Sequence, residues 1–95
     1  MLSARQRTDA GCAAFPDDAC YVVANGYLSR EVFSLRDREH NFYMVGSMGL
    51  GGSIALGAAL ARPERTLVVL DGDGNVLMGL GALALIGTRK PGNLY

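Results

Sequence analysis

A short apolar run that ends in an acidic, glycine-rich turn most strongly limits what this chain can fold into. Leu67–Leu70 shows no polar alternation, which is typical of a strand buried on both faces in a parallel sheet. The run stops at residues 71–74, which read Asp-Gly-Asp-Gly, and residues 75–86 are rich in Leu, Ala and Met and predict a helix. The acidic turn is therefore expected between a strand and a helix, where open α/β sheets bind ligands.

The chemistry of this turn indicates a phosphate group and a cation. Gly72 and Gly74 let backbone N–H groups approach a ligand closely, and a helix start adds N–H donors that attract anions. A carboxylate among these donors would repel a phosphate unless a cation lay between them. Asp73 is therefore predicted to be a Mg²⁺ ligand that bridges to a diphosphate. The alternative is an ordinary strand-to-helix turn with a helix-capping Asp.

Three familiar motifs do not account for the turn. A calcium loop starting at Asp71 would need Gly and Glu where the chain has Val76 and Ala82. A P-loop would need Gly-Lys-Ser/Thr, which the sequence lacks. Residues 79–84, Gly-Leu-Gly-Ala-Leu-Ala, imitate a dinucleotide fingerprint but fall inside the predicted helix. Their glycines are interpreted as positions of close helix packing.

Composition narrows the class of protein. A chain of 95 residues allows one domain at most, and its formal net charge of zero gives no reason to expect nucleic acid or an anionic membrane as a partner. The longest apolar stretch, residues 76–87, is too short to span a bilayer, and no secretory signal is recognised. Cys12 and Cys20 are interpreted as reduced thiols, so the predicted compartment is the cytoplasm.

Alternating strand and helix signals predict an α/β fold, with a doubly wound, mostly parallel sheet and helices on both faces. Residues 1–15 are expected to form an N-terminal arm or weak helix, and residues 16–95 one domain. Its strand and helix pairs are predicted at residues 20–24 and 27–35, 41–45 and 53–61, and 67–70 and 75–86. A further strand begins at residues 93–95, so we expect this domain to be incomplete at its C-terminus.

Two stretches resemble the diphosphate-binding domain of thiamine-diphosphate (TPP) enzymes. Residues 41–57 read Asn-Phe-Tyr-Met-Val-Gly-Ser-Met-Gly-Leu-Gly-Gly-Ser-Ile-Ala-Leu-Gly, and residues 69–74 read Val-Leu-Asp-Gly-Asp-Gly. Within that superfamily the chain is most similar to phosphonopyruvate decarboxylase and the beta subunit of sulfopyruvate decarboxylase. The resemblance covers residues 16–95. The Gly-Asp-Gly turn is a weak signal alone and a strong one when Gly-Ser-Met-Gly lies upstream at this distance.

The resemblance implies that the acidic turn binds Mg²⁺ and the diphosphate of TPP. Asp73, flanked by Gly72, would be a Mg²⁺ ligand, and the amides of Gly74 and Asn75 would face the diphosphate. The second Mg²⁺ ligand of the family is an Asn that would lie beyond the printed sequence, and Asn93 comes too early for that role.

The resemblance also assigns roles to residues that follow the second predicted strand. Gly46 would offer its backbone carbonyl to the 4′-amino group of TPP, and Met48 would lie beneath the cofactor and hold it bent. Ser47 would add a polar contact. Arg30, at the start of the first helix of the domain, is our candidate for a cationic contact to the substrate, with a plain surface arginine as the alternative.

The activity implied by the resemblance is that of a TPP-dependent carboxy-lyase, which releases CO₂ and an aldehyde from 3-phosphonopyruvate or 3-sulfopyruvate. The sequence does not choose between these substrates. No catalytic residue is expected in this chain, because the activating glutamate belongs to a pyrimidine-binding domain or subunit. An oligomer is expected, and an isolated chain should be inactive. The alternatives are another TPP enzyme of the acetolactate synthase kind and a non-catalytic, truncated remnant.

Overall fold

Three short apolar runs form a parallel sheet in the computed structural model, which describes residues 3–95. The strands are β1 (Cys20–Val23), β2 (Asn41–Tyr43) and β3 (Leu67–Leu70). Their order is β2-β1-β3, so the central strand β1 pairs in parallel with both others. Leu94 adds an isolated parallel bridge to Leu67, which agrees with the strand predicted to begin at residues 93–95.

Within residues 3–95, five helices flank or connect these strands. They are α1 (Ala4–Ala13), α2 (Tyr27–Arg36), α3 (Gly51–Ala61), α4 (Asp73–Met78) and α5 (Leu80–Arg89). A capping box starts α1, because Ser3 and Gln6 each accept a hydrogen bond from the other's backbone amide. The segment predicted as an arm or weak helix is therefore helical, and residues 1–2 lie outside the described part. None of the described helices is long and apolar enough to cross a membrane.

Helices cover both faces of the sheet. On one face, Tyr21, Val23 and Val68 pack in a buried cluster with Cys12 of α1 and Val32 of α2. On the other face, α3 packs against β1 and β3. The connection from β1 to β2 thus runs over one face and the connection from β2 to β3 over the opposite face, as in a doubly wound sheet. The predicted fold class is confirmed.

The single helix predicted over residues 75–86 is wrong. Helix α4 ends at Met78 and α5 begins at Leu80. Gly79 separates them with φ −111° and ψ 34°, outside the helical range. Its amide still donates to the Asn75 carbonyl at 3.1 Å, so the chain bends at Gly79 without losing that hydrogen bond.

Smaller differences occur at three other boundaries. Strand β2 ends at Tyr43 instead of residue 45, and Val45 is 95% exposed. Helix α3 begins at Gly51, two positions before the predicted residue 53. Helix α4 begins at Asp73, so the second half of the acidic turn is already helical.

Candidate functional site

Two loops meet at the edge of the sheet where the strands end. The Met48 loop covers residues 46–50 after β2, and the acidic turn covers residues 71–74 after β3. Strands β2 and β3 are not neighbours, because β1 lies between them. The Gly49 amide, however, donates a hydrogen bond to Oδ1 of Asn75, the residue that follows the acidic turn, at 3.0 Å. The structure thus joins the two segments that the sequence analysis selected.

The acidic turn passes from loop into helix at Gly72, the N-cap residue of α4. No side chain makes a capping hydrogen bond there, so the alternative of an ordinary capping Asp is not what the structure contains. Oδ1 of Asp71 accepts from the Gly72 amide at 3.1 Å, and Oδ1 of Asp73 accepts from the Gly74 amide at 2.8 Å. Each carboxylate therefore binds the amide of the residue that follows it.

The two carboxylates of the acidic turn lie in different environments. Asp71 is half-buried, and loss of solvation raises the pKa of its carboxyl group, against a lowering effect of the Gly72 amide. Asp73 is exposed at the start of α4. A cation approaching from solvent would therefore meet Asp73 first. Across residues 3–95, no three His, Cys, Asp or Glu side chains converge to hold a metal ion.

The Met48 loop has an unusual backbone. Ser47 has a φ of 55° and Gly49 a φ of 94°, and the first value lies in a region that few residues other than glycine adopt. The turn is closed by the Leu50 amide, which donates to the Ser47 carbonyl at 3.1 Å. Gly46 and Ser47 are exposed, and Met48 is 47% exposed. Met48 is therefore not a core residue.

Met48 lies directly beside the acidic turn. A Cβ atom added to Gly74 would be 3.4 Å from Cε of Met48. That distance is an ordinary van der Waals contact, so the terminal methyl group of Met48 lies against Gly74. The structure thus sets a partly exposed apolar side chain against a turn whose chemistry suits phosphate.

A second contact fixes the Met48 loop against the break between α4 and α5. A Cβ atom on Gly79 would lie 2.0 Å from the Gly49 carbonyl oxygen, and one on Gly49 would lie 2.9 Å from Cβ of Met78. Both positions therefore require glycine. The prediction that the glycines of residues 79–84 allow close helix packing is wrong, because Gly79 lies between α4 and α5 and packs against a loop, and Gly81 has open space around it.

The residues present fit a diphosphate bound through a cation. The N-cap residue of α4, Gly72, has no side chain to cap the first-turn amides of the helix. The Gly74 amide is occupied by Asp73, and rotation of that carboxylate toward a cation would release it. Asp73 would then bind the cation while the Gly74 amide met a phosphate oxygen. The donor types and the space beside Met48 are compatible with the predicted roles.

Arg30, the predicted substrate contact, lies in the first turn of α2, the helix that follows the carboxyl end of β1. It is exposed on α2 and lines a hollow of about 290 Å³ with Ser29, Phe33 and Tyr43. None of the contacts described for residues 3–95 joins Arg30 to the Met48 loop or the acidic turn. Its role therefore stays a prediction.

Asn93, which the sequence analysis set aside as a Mg²⁺ ligand, holds the end of α3. Its Nδ2 donates to the carbonyl oxygens of Ala59, Arg62 and Arg65 at 3.1, 3.2 and 2.8 Å. Asn93 also accepts a hydrogen bond from the amide of Leu67, the first residue of β3, so it lies at the edge where the strands begin. It is a structural residue on the opposite edge from the acidic turn.

Sequence reasoning did not find the role of the Asn75 side chain or the contact between Gly49 and Gly79. The sequence offered two weak signals: Asn75 directly follows the acidic turn, and Gly79 interrupts the apolar pattern of the predicted helix. Both contacts join residues 26 to 30 positions apart in the chain, a separation that no local periodicity reports.

Comparisons with known proteins identify a family that covers most of the chain. A family described as "Thiamine pyrophosphate enzyme, C-terminal TPP binding domain" matches residues 21–94. The match includes β2, β3, the Met48 loop, the acidic turn and all of β1 except Cys20.

Individual relatives are similar over most of the chain. Phosphonopyruvate decarboxylase of Streptomyces viridochromogenes is 52% identical over 82 residues, which are 86% of this chain and 20% of the relative. The sulfopyruvate decarboxylase beta subunit of Methanothermobacter thermautotrophicus is 50% identical over 78 residues, which are 82% of this chain and 42% of the relative. A probable acetolactate synthase of Oryza sativa matches only 42 residues, at 48% identity, or 44% of this chain and 6% of the relative. The chain therefore spans less than half the length of each of these relatives.

Proposed function

Since this chain belongs to the family of C-terminal TPP-binding domains of thiamine pyrophosphate enzymes, we propose that it is part of a TPP-dependent 2-oxo acid decarboxylase. The proposed substrate is 3-phosphonopyruvate or 3-sulfopyruvate, and the products are CO₂ and the corresponding aldehyde. The observation that carries the proposal is the placement of Met48 against Gly74, because it unites the two motif segments in one site.

A decarboxylase explains the similarities better than an acetolactate synthase does. The decarboxylase relatives match almost the whole described domain, whereas the acetolactate synthase match covers less than half of the chain. The choice between a phosphonate and a sulfonate substrate is left to experiment, since relatives named for each substrate are similar to this chain to nearly the same degree.

In the proposed mechanism, this chain binds and orients the cofactor. Asp73 would hold Mg²⁺, and the Gly74 and Asn75 amides would bind the diphosphate at the start of α4. The Gly46 carbonyl would accept from the 4′-amino group, and Ser47 would add a polar contact. When bound, TPP supplies an acceptor for the electron pair that remains as CO₂ leaves the 2-oxo acid.

Met48 has a different role in the proposed mechanism, which is to support the bound cofactor. Its side chain is partly exposed beside Gly74, so it can support the cofactor from below and exclude water from one side. A thioether adapts its shape to such a surface better than a branched side chain does.

We further propose that the activating glutamate comes from a pyrimidine-binding domain or subunit, in an oligomer. A relative whose name includes "subunit beta" supports a separate partner. The exposed apolar side chains that follow the acidic turn offer it a surface: Leu77, Met78, Leu80 and Leu83. The cytoplasm is the proposed compartment, with free cysteines at positions 12 and 20 as support.

Calorimetric titration with Mg²⁺ and TPP tests the proposal. A version of the chain extended past the family's second Mg²⁺ ligand, and combined with its pyrimidine-domain partner, should bind TPP only when Mg²⁺ is present. Asp73→Ala should abolish this binding, whereas Asp17→Ala, which removes another exposed carboxylate far along the chain, should leave it unchanged. Equal binding by wild type and Asp73→Ala would contradict the metal assignment. Decarboxylation assays with both substrates then decide between phosphonate and sulfonate.

A further inference from the structure

We propose that the side chain of Asn75 is a positioning residue, which holds the Met48 loop against the acidic turn and so sets Met48 in place beside Gly74. Only its consequence for cofactor binding rests on the proposed function. The contact itself is a property of the chain without any ligand.

The first argument is that the two loops need a link other than the sheet. They follow β2 and β3, which are separated by β1, so no ladder of backbone hydrogen bonds joins them. The Asn75 Oδ1 to Gly49 amide bond supplies such a link at 3.0 Å. Gly49 is buried, so loss of the acceptor would leave its amide without a partner away from water.

The second argument is that Asn75 lies at the centre of a group of contacts. Its side chain binds Gly49, and its backbone carbonyl accepts from the Gly79 amide at 3.1 Å. Gly79 in turn touches the Gly49 carbonyl. The side chain of Asn75 thus binds Gly49 directly, and the backbone carbonyl of Asn75 is linked to Gly49 through Gly79.

The third argument concerns the chemistry of the side chain. An Asn carboxamide provides an acceptor of the required length without a charge. An Asp would accept the same hydrogen bond but would add a negative charge within the first turn of α4, where the proposed ligand is an anion. An Ala would supply no acceptor for the Gly49 amide. Asn is therefore the residue type that joins the loops without repelling a diphosphate.

Amide hydrogen exchange measured by NMR on the chain without cofactor tests the contact. In Asn75→Ala the Gly49 amide should exchange about tenfold faster than in wild type, because one hydrogen bond is lost. In Asn75→Asp it should keep its protection. The Tyr21 amide, in the central strand, should be unchanged in both variants and shows that the sheet is intact. An unchanged Gly49 rate in Asn75→Ala, with Tyr21 protected, would overturn the proposal.

Titration with Mg²⁺ and TPP, on the chain extended past the family's second Mg²⁺ ligand and combined with its partner domain, tests the consequence. Asn75→Ala should weaken binding about tenfold, by displacement of Met48. Asn75→Asp should weaken binding while Gly49 stays protected, because only charge has changed. Asp73→Ala should lose binding and also keep Gly49 protected. Full affinity in an Asn75→Ala variant with an unprotected Gly49 would overturn the positioning role, whereas absence of binding by wild type would refute the proposed function and leave the exchange result standing.

Discussion

Gly79 touches the backbone of Gly49 so closely that a methyl group on Gly79 would stand 2.0 Å from the Gly49 carbonyl oxygen. The backbone of Gly79, with φ −111°, is one that other residues can adopt. The requirement for glycine thus comes from the neighbouring loop and not from backbone conformation.

Gly79→Ala should therefore destabilise the protein by about 1–3 kcal/mol, the usual range for overpacking. Gly81→Ala is the matched control, since it lies two residues further on with open space around it. There the change should stabilise α5 by about 0.5–1 kcal/mol, because alanine is the better helix former. Urea denaturation of the two variants gives both values, and equal stability of Gly79→Ala and wild type would contradict the contact.

A buried hydrogen bond connects α1 to the sheet, and its removal should be measurable. The Tyr21 hydroxyl is buried and donates to the Cys12 carbonyl at 2.9 Å. Tyr21→Phe keeps the ring but loses this bond, so the free energy of unfolding should fall by about 0.5–1.5 kcal/mol. Tyr27→Phe, at a position 82% exposed, should change it by less than about 0.5 kcal/mol. If both variants unfold like wild type, α1 is not held by Tyr21.

The Cys12 thiol should make stability fall at alkaline pH. Burial raises the pKa of this thiol above its ordinary value. The folded chain thus holds the thiol proton more tightly than the unfolded chain. The contribution of the protonated thiol to the free energy of unfolding is therefore complete below the ordinary pKa, and it is lost as the pH rises through the raised pKa of the folded chain. Urea midpoints between pH 7 and 10, under reducing conditions, should fall less steeply for Cys12→Ala than for wild type. Part of the decrease of the urea midpoint with pH should persist in Cys12→Ala, since burial also raises the pKa of Tyr21.

The Arg30 prediction has a direct kinetic test in the assembled enzyme. If the guanidinium contacts the phosphonate or sulfonate of the substrate, Arg30→Ala should raise KM about tenfold or more, and Arg30→Lys should recover part of the loss. Arg89→Ala removes another exposed cation and should leave KM unchanged. An unaltered KM in Arg30→Ala would show that Arg30 is a surface arginine that does not contact the substrate, in keeping with its exposed position on α2.

The sequence predicted the elements whose limits depend on local patterns. Strand β3 has the predicted bounds because its apolar run is cut off sharply by the acidic turn. The strand predicted to residue 45 stops at Tyr43, since Val45 is apolar but turns to solvent before the left-handed Ser47. An apolar residue in a loop cannot be distinguished from one in a strand by pattern alone.

The site was predicted in its parts but not in its assembly. The acidic turn and the Met48 loop carry recognisable motifs, so both were selected. The break at Gly79 was missed, because the residue that Gly79 packs against, Gly49, lies 30 positions earlier in the chain. Leu and Met before Gly79, and Leu and Ala after it, favour helix.

The central position of β1 has a consequence for synthesis on the ribosome. β1 leaves the ribosome first among the strands, yet one of its two partners, β3, begins 47 residues later, as counted from Cys20 to Leu67. Until then, Tyr21, Val22 and Val23 have an unpaired edge and apolar side chains open to solvent or to other nascent chains. We therefore expect newly made chains to depend on chaperones or on slow translation of residues 24–66 more than an antiparallel protein of this size would.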